Sequence, residues 1–287
     1  MRTLLLHNPT AGNGCLSADS LEAALSRSGC FVTACSKHDD SYKAAFGKPW
    51  DLVAVAGGDG TVAMAARHMP DRNVPLALLP IGTANNVAHS LDLLGQAEEI
   101  AANLQGAPTR PLDLGSVKGP WGERSFIEAV GLGAFAPAIT RSDPKPPFEH
   151  RIRLGREALC EAIAAAEPHR IALTVDGEPF DGEFLFVEVL NLRFSGPRLP
   201  IAYFAEPGDQ MLDIVLLCED QRQAMLDWVR SAPEETPPPV LVHIGRNVKM
   251  AWDGAPLRLD DRVCPPEDGP HVIDITLEQD SLRVLCP

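Results

Sequence analysis

The sequence predicts an α/β N-terminal domain with a parallel sheet, followed by a mostly antiparallel β domain. Three observations carry this expectation. Apolar runs near residues 3–6, 31–34, 51–55 and 75–79 alternate with helical segments, the order that builds a parallel sheet. Three of these runs end in loops rich in Gly, Asn and Thr. From about residue 112 the pattern changes to closely spaced β-rich segments with turn signals between them.

The first strand leads into Asn8-Pro9-Thr10-Ala11-Gly12-Asn13-Gly14. Leu21, Ala24, Leu25 and Ser28 share helical spacing, and Gly29 ends that helix. Residues 52–56 are continuously apolar, as a strand buried on both faces requires, and run into Gly57-Gly58-Asp59-Gly60-Thr61. Residues 74–79 lead into Pro80-Ile81-Gly82-Thr83-Ala84-Asn85-Asn86, after which Val87-Ala88-His89-Ser90-Leu91 reads as a helix. In the second part, residues 171–175 and 184–190 read as strands on either side of the hairpin signal Asp176-Gly177-Glu178. Further strands are expected at 214–217, 240–244, 248–252, 271–277 and 282–285, with helices near 154–166 and 220–230. Residues 231–239 form a proline-rich surface loop, and no internal repeat is present. The expected domains are residues 1–111 and 112–279.

Glycines after a strand allow a tight turn whose N–H groups point outward, a concavity suited to phosphate. Three such loops at the carboxyl ends of parallel strands converge on the sheet edge where open α/β folds bind ligands. An aspartate inside a phosphate cradle would be repelled by its ligand. Asp59 therefore serves by binding a cation, accepting a proton or holding an incoming hydroxyl, or else it caps the helix that starts near Thr61. Both readings stay open at this point.

Asn8-Pro9 with Ala11-Gly12, then Gly57-Gly58-Asp59-Gly60-Thr61, then Pro80-Ile81-Gly82-Thr83-Ala84-Asn85 together resemble the catalytic domain of the diacylglycerol kinase and sphingosine kinase superfamily. The Gly-Gly-Asp-Gly motif is shared with NAD kinases and phosphofructokinases; the two flanking loops point to the lipid kinase branch. A weaker resemblance continues through Leu112-Asp113-Leu114-Gly115, Phe126–Gly133, Asn191, Leu199-Pro200 and Met211-Leu212-Asp213-Ile214. The family implies a nucleotide-binding first domain completed by the last strand, around residues 280–287, and a lipid-binding second domain. It also implies ATP and Mg²⁺ as cofactors and a lipid alcohol of diacylglycerol, ceramide or sphingoid type as acceptor.

Phosphoryl transfer needs held phosphates, a metal on their oxygens and an acceptor hydroxyl deprotonated in line. Gly57, Gly58, Gly60 and Gly82 can offer N–H groups to phosphate, Thr61 and Thr83 can add hydroxyl donors, and Asn8 and Asn85 can orient ribose or phosphate. Asp59 is the catalytic candidate. Asp209 and Asp213, on a turn similar to the family's Asp-Gly-x-Leu-Asp, are the metal candidates, with oxygen donors suited to a hard cation. No Gly-x-x-x-x-Gly-Lys-Ser/Thr occurs, which excludes a P-loop kinase at motif level.

Four departures stand out. Gln210 replaces the family's glycine, Asn86 replaces an aspartate, and Met64 replaces a glutamate. Trp252-Asp253-Gly254-Ala255 resembles the family's Asp-Gly-Glu but lacks the acid proposed there as general base, for which Asp260, Asp261 or Glu128 are substitutes. Asn86 and Ala255 keep one rival in view, a catalytically impaired nucleotide- or lipid-binding homologue; the rival enzyme is a kinase of a soluble hydroxyl compound.

A net charge of −14 argues against nucleic acid as a partner and against general adsorption to an anionic membrane. Arg141, Lys145, Arg151, Arg153 and Arg156, around Pro144, Pro146-Pro147 and Phe148, form a local basic exception, readable as a membrane-facing segment or a solvated loop. Cys15, Cys30, Cys35, Cys160, Cys218, Cys264 and Cys286 include no Cys-x-x-Cys pair, so neither a disulfide framework nor a zinc site is indicated. With no leader pattern and no apolar run long enough to cross a bilayer, a cytoplasmic location is expected, with peripheral contact at the inner membrane face and a homodimer both left open.

Overall fold

The computed structural model describes residues 1–14, 16–39, 41–141, 147–231, 235–264 and 271–287. Cys15, Pro144, Lys145, Pro146 and residues 232–234 of the proline-rich loop lie outside the described residues. The chain divides into two compact units, Met1–Leu112 with Asp280–Pro287, and Asp113–Gln279.

The first unit runs through β1 (Arg2–His7), α1 (Ala18–Arg27), β2 (Phe31–Ser36), α2 (Tyr42–Phe46), β3 (Leu52–Gly57), α3 (Asp59–His68), β4 (Leu76–Pro80), α4 (Asn86–Ser90), α5 (Ala97–Ala102) and β5 (Thr109–Leu112). Its sheet has the order β2-β1-β3-β4, then the last strand of the chain (Leu282–Leu285), then β5. The pairs among β1 to β4 are parallel, and the last strand is parallel to β4 and antiparallel to β5. β3 is buried along its whole length, which is why its sequence is continuously apolar. Ser17 caps α1 by accepting the Ser20 N–H at 3.2 Å.

The second unit contains β6 (Gly115–Gly119), β7 (Gly122–Phe126), β8 (Ala129–Gly133), α6 (Phe135–Arg141), α7 (Arg151–Ala165), β9 (His169–Val175), β10 (Glu178–Phe184), β11 (Phe186–Leu190), β12 (Leu212–Leu217), α8 (Arg222–Ser231), β13 (Leu241–Gly245), β14 (Val248–Trp252), β15 (Leu257–Leu259), β16 (Arg262–Cys264) and β17 (His271–Leu277); the chain's last strand is β18. Two antiparallel sheets form, β10-β9-β14-β17-β6-β7 and β13-β12-β11-β8-β15-β16. The inner strands β12, β11, β8 and β15 of the second are buried on both faces, while the edge strand β13 is largely exposed. On β12, Leu212, Ile214 and Leu216 join the core shared with the first sheet, while Val215 and Leu217 join the core with α7 and α8.

The expectation of one strand over residues 184–190 needs correction. β10 ends at Phe184 in one sheet and β11 begins at Phe186 in the other. Leu185 makes the corner, donating its N–H to Leu217 O at 2.8 Å and accepting from Ala134 N at 3.2 Å. Gly133 permits that approach: its φ is +93°, and a Cβ there would lie 2.3 Å from Leu185 O. The β9–β10 hairpin turns at Asp176 (φ 48°) and Gly177 (φ 91°), both left-handed as a two-residue hairpin loop requires.

One row of the doubly buried sheet is charged. Glu188 on β11 and Arg258 on β15 both pair with Gly131 on β8 between them. A Cβ on Gly131 would sit 2.2 Å from the Glu188 carboxylate, so the glycine opens the gap across which Arg258 Nη1 reaches Glu188 Oε2 at 3.0 Å. Arg258 also pairs with Glu128, donates to Ser195 Oγ at 2.9 Å and to Asp260 O at 2.8 Å, and lies 5.0 Å over the Phe135 ring. With its side chain 2% exposed, the guanidinium has exchanged water for these partners.

Burial pushes the Glu188 carboxyl up to about 7, against the lowering effect of the Arg258 charge. The folded chain therefore holds that proton to higher pH than the unfolded chain, where the ordinary value is 4.5, and the group's contribution to stability declines as pH rises from 4.5 through 7. Glu188→Gln removes this titration. Its melting temperature relative to wild type is expected to rise steadily across that window in thermal melts, and a constant difference would show that Glu188 does not titrate there.

Candidate functional site

β1, β3 and β4 are adjacent and parallel, so the loops after them leave one edge of the first unit's sheet side by side. Hydrogen bonds lock them together. Asn8 N donates to Ala56 O at 2.9 Å, Ile81 N donates to Gly57 O at 3.1 Å, and Asn8 Nδ2 donates to Thr61 Oγ1 at 3.4 Å. Asn8 Oδ1 in turn accepts from Thr10 N at 3.2 Å and Thr10 Oγ1 at 2.9 Å.

Packing of the loops against one another dictates several of the glycines. A Cβ on Gly82 would lie 2.3 Å from Gly58 Cα and 2.7 Å from Asn85 Oδ1, and one on Gly57 would lie 2.4 Å from Thr61 Oγ1. Gly58 is the N-cap of α3, and Gly60 falls in the first turn of that helix. The expectation that each glycine offers its N–H to phosphate changes accordingly. Gly82 N donates to Asn85 Oδ1 at 2.9 Å, and Asn85 Nδ2 donates back to Gly82 O at 3.0 Å. Asn85 closes its own loop with both ends of its amide, in a left-handed conformation (φ 52°) that Asn tolerates. The Thr61 side chain is inside the loop cluster, the residue 2% exposed. Asn8, Thr61, Gly82 and Asn85 thus shape the cradle from behind, whereas Thr83 is half-buried in the loop itself.

Asp59 is the first residue of α3, so the idea that it caps its own helix is replaced by another contact. Its Oδ1 accepts the N–H of Val87, in the first turn of α4, at 2.9 Å. The carboxylate therefore ties the loop after β3 to the helix after β4. Asn86, where the family has an aspartate, is 1% exposed. An ionised group there would be held out of water, which the neutral amide avoids.

In the second unit, Asp209 and Asp213 flank the turn into β12. Gln210 has φ 60°, the conformation a glycine adopts without strain, and its N–H donates to Asp113 Oδ2 at 2.7 Å. Asp213 lies opposite Leu190, and the next residue, Asn191, donates Nδ2 to the carbonyls of Asp113 (2.8 Å) and Ile127 (3.0 Å). Burial, then the charge of Asp209, push Asp213 up to about 7; burial and the charges of Asp113 and Glu206 raise Asp209. Asp113 was read only as the start of a domain; its burial at 1% exposure beside this turn makes it part of the acid cluster. Among the described residues, no group of three or more His, Cys, Asp and Glu side chains is arranged to hold a metal ion. The donors that cluster here are all oxygens, and the buried Asn191 Oδ1 has no hydrogen-bond partner, a set that fits a hard cation.

Of the three substitutes considered for the missing base, Asp261 is exposed beside Arg262, and the other two are engaged elsewhere. Glu128 Oε1 pairs with Arg258 and accepts from Ser195 Oγ at 2.9 Å and Gly196 N at 2.8 Å. Asp260 Oδ1 accepts from Glu128 N at 2.8 Å and Ile127 N at 3.1 Å. Strand register gives the position of Asp253-Gly254-Ala255, the stretch that resembles Asp-Gly-Glu. Trp252 lies opposite His271, whereas the other end of β17, Leu277, lies opposite Gly115. Ala255 is therefore at the opposite end of that sheet from Asp113.

In the basic stretch, Arg153 pairs with Glu157 at 2.7 Å, Arg156 donates to Pro197 O and Arg198 O, and Arg151 lies 5.6 Å over the Phe148 ring. No helix among the described residues is long and apolar enough to cross a membrane.

Asp59→Asn keeps the acceptor for Val87 N–H while removing the charge. Phosphoryl transfer is expected to fall about 10²–10⁴-fold, the range for a positioned carboxylate base, with the melting temperature close to wild type. Wild-type turnover would reduce Asp59 to a cap of α4. Gly82→Ala drives a Cβ into the Gly58 backbone, and overpacking of this kind costs about 1–3 kcal/mol. Stability and nucleotide affinity should fall together, and an unchanged melting temperature would contradict the tight approach.

Residues 2–117 match the family described as the diacylglycerol kinase catalytic domain. The chain is 25% identical over 249 residues to the diacylglycerol kinase of Bacillus subtilis (strain 168), covering 80% of this chain and 77% of that protein. It is 28% identical over 231 residues to the diacylglycerol kinase of Mycobacterium tuberculosis, covering 77% and 74%, and 28% identical over 255 residues to a YegS-like lipid kinase of Pseudomonas fluorescens, covering 76% and 78%. The solved structure of a diacylglycerol kinase from Bacillus anthracis superposes over 100% of this chain and 97% of its own, with a TM-score of 0.72 at 17% identity, a likeness of fold. The three loops and the Asp59 contact lie within the segment similar to the diacylglycerol kinase catalytic domain, and over about three quarters of its length the chain is similar to diacylglycerol kinases and YegS-like lipid kinases.

Proposed function

We propose that this protein transfers the γ-phosphoryl group of ATP to the hydroxyl of a lipid alcohol of diacylglycerol, ceramide or sphingoid type. The observation that carries the phosphotransferase reading is the locked loop edge of the first unit, which presents Asp59 beside a glycine turn and ties it to Val87. Gly57, Gly58, Gly60 and Thr83 line the phosphate cradle under this reading, while Asn8, Thr61, Gly82 and Asn85 hold its shape. Asp59 takes the proton of the acceptor hydroxyl or orients the groups around it. Asp209 and Asp213 would hold Mg²⁺, which when bound neutralises charge on the phosphate oxygens.

A lipid acceptor is favoured over a soluble one by a cavity of about 470 Å³ within the second unit. Leu132, Ala134, Ala162, Ile171, Phe184 and Trp252 line it, and its volume is that of a typical ligand site. These apolar side chains suit an acyl chain, while Glu167, His169, Arg170, Asp253 and His271, which also border the cavity, can face a polar head or solvent. Contact of Phe148 and Arg151 with lipid headgroups belongs to the same reading.

Labelled ATP offered with a panel of lipid alcohols and soluble alcohols tests the proposal. Phosphate should pass to a lipid, and transfer to a soluble hydroxyl alone would overturn it. Ala162→Phe, which fills the cavity from α7, should lower turnover on long-chain lipids at least several-fold and spare short-chain analogues. Equal loss on both would remove the cavity from substrate binding.

A further inference from the structure

We infer that Arg258 is a positioning residue for the Asp209–Asp213 turn, acting from the middle of the doubly buried sheet. This rests on the proposed metal role of those two acids.

Arg258 contacts neither acid. Its guanidinium binds side chains and backbone that together fix the segment Ile127–Ala129. On one side it pairs with Glu128, whose carboxylate also holds Ser195 Oγ and Gly196 N. On the other, Arg258 Nε donates to Asp260 O at 2.8 Å, and Asp260 Oδ1 gathers the successive N–H groups of Ile127, Glu128 and Ala129 at 3.1, 2.8 and 3.4 Å. Asp260 N closes the loop on Ala129 O at 2.8 Å. The segment so fixed presents two carbonyls to one residue: Glu128 O accepts Asn191 N at 3.0 Å, and Ile127 O accepts Asn191 Nδ2 at 3.0 Å. Asn191 Nδ2 also donates to Asp113 O at 2.8 Å, and Asp113 Oδ2 holds Gln210 N at 2.7 Å, inside the turn that carries both acids.

Every link up to Asp113 is a hydrogen bond between buried residues, and the last joins buried Asp113 to the backbone N–H of Gln210, an exposed residue. Gln210 is kept in the left-handed conformation by the last of them, in a position where glycine would adopt it freely. A tether from Asp113 is therefore needed here more than it would be with glycine. The fork of an arginine suits the task because Nε and both Nη atoms bind in fixed relative directions, which a lysine cannot reproduce.

A purely structural role for the charged row would affect stability alone. The distinguishing readout is metal affinity, measured with Mn²⁺ as the probe by electron paramagnetic resonance, which needs no turnover. The triple variant Arg258→Met with Glu128→Gln and Glu188→Gln removes the charges together, a replacement that buried ion clusters often tolerate without loss of stability. Folded by circular dichroism, it is expected to bind Mn²⁺ about 10–100-fold more weakly, the effect of losing outer-shell support. Arg258→Lys keeps the charge and loses the fork; it is the second variant should the triple fail to fold, and it should show a loss in the same direction. Wild-type Mn²⁺ affinity in a folded form of either variant overturns the inference. Asp213→Asn separates this from failure of the metal reading itself: it should abolish the binding, and if it binds Mn²⁺ as wild type does, both the metal assignment and the role of Arg258 fall.

Discussion

The candidate site depends on the contact between two backbones. Strands β3 and β4 lie one hydrogen-bonded spacing apart, so the loops that leave them can touch only where no side chain intervenes. Gly58 and Gly82 meet at that point, and a Cβ on Gly82 would fall 2.3 Å from Gly58 Cα. The rest of the edge follows from this approach. With the loops in contact, α3 starts at Asp59 close enough to α4 for its carboxylate to accept Val87 N–H, and Asn85 turns left-handed to start α4 while bonding Gly82 at both amide ends. The site is held by hydrogen bonds among neutral groups around a single charged one.

The second unit solves a different problem by different means. A sheet buried on both faces has no solvent for a charged side chain, yet three adjacent strands carry Glu188, Gly131 and Arg258 in one row. The glycine supplies the space, and Phe135 and Ser195 supply contacts that water would otherwise provide. Glu188 Oε1 remains without a hydrogen-bond partner, which accords with a carboxyl that burial keeps protonated towards neutral pH. Such a row adds little net stability over an apolar one. What it does add is direction: an arginine with fixed donors decides how the ends of β8, β11 and β15 meet.

Much of the fold was legible because its signals are local. Continuous apolar runs ending in Gly and Asn mark β1, β3 and β4, and Asp176-Gly177 marks its hairpin directly. Leu185 was not legible, because residues on both sides of it are apolar and β-prone, and the change of sheet is decided by Leu217 and Ala134, far away in sequence. The charged row escaped for a related reason. Glu188 in Phe-Val-Glu-Val-Leu and Arg258 in Leu-Arg-Leu carry no local sign of a buried pair, no strand was expected at residues 257–259, and only cross-strand register shows that the two face one another. The glycine-rich turns were found at the right strand ends, although Gly57 closes β3 and α3 already starts at Asp59, while the reason for Gly57 and Gly82 was packing against Thr61 and Gly58, which no spacing rule contains.

Register also changes the weight of the departures from the family pattern. A tripeptide is too short to fix its own place, and Asp253-Gly254-Ala255 sits where β14 ends, beside the apolar cavity and at the opposite end of its sheet from Asp113. The absence of an acid at Ala255 therefore removes nothing from the acid cluster at Asp209 and Asp213. Asn86 is a departure of another kind, since it is buried in the loop edge that Asp59 organises, and neutrality there spares a second desolvated charge next in sequence to Val87, which Asp59 already holds. Of the departures that argue for impaired catalysis, Asn86 has a structural reason, Ala255 borders the apolar cavity, and nothing in the structure explains Met64. The case for an active phosphotransferase then rests on Asp59, whose carboxylate is half-buried and oriented by a backbone N–H at 2.9 Å.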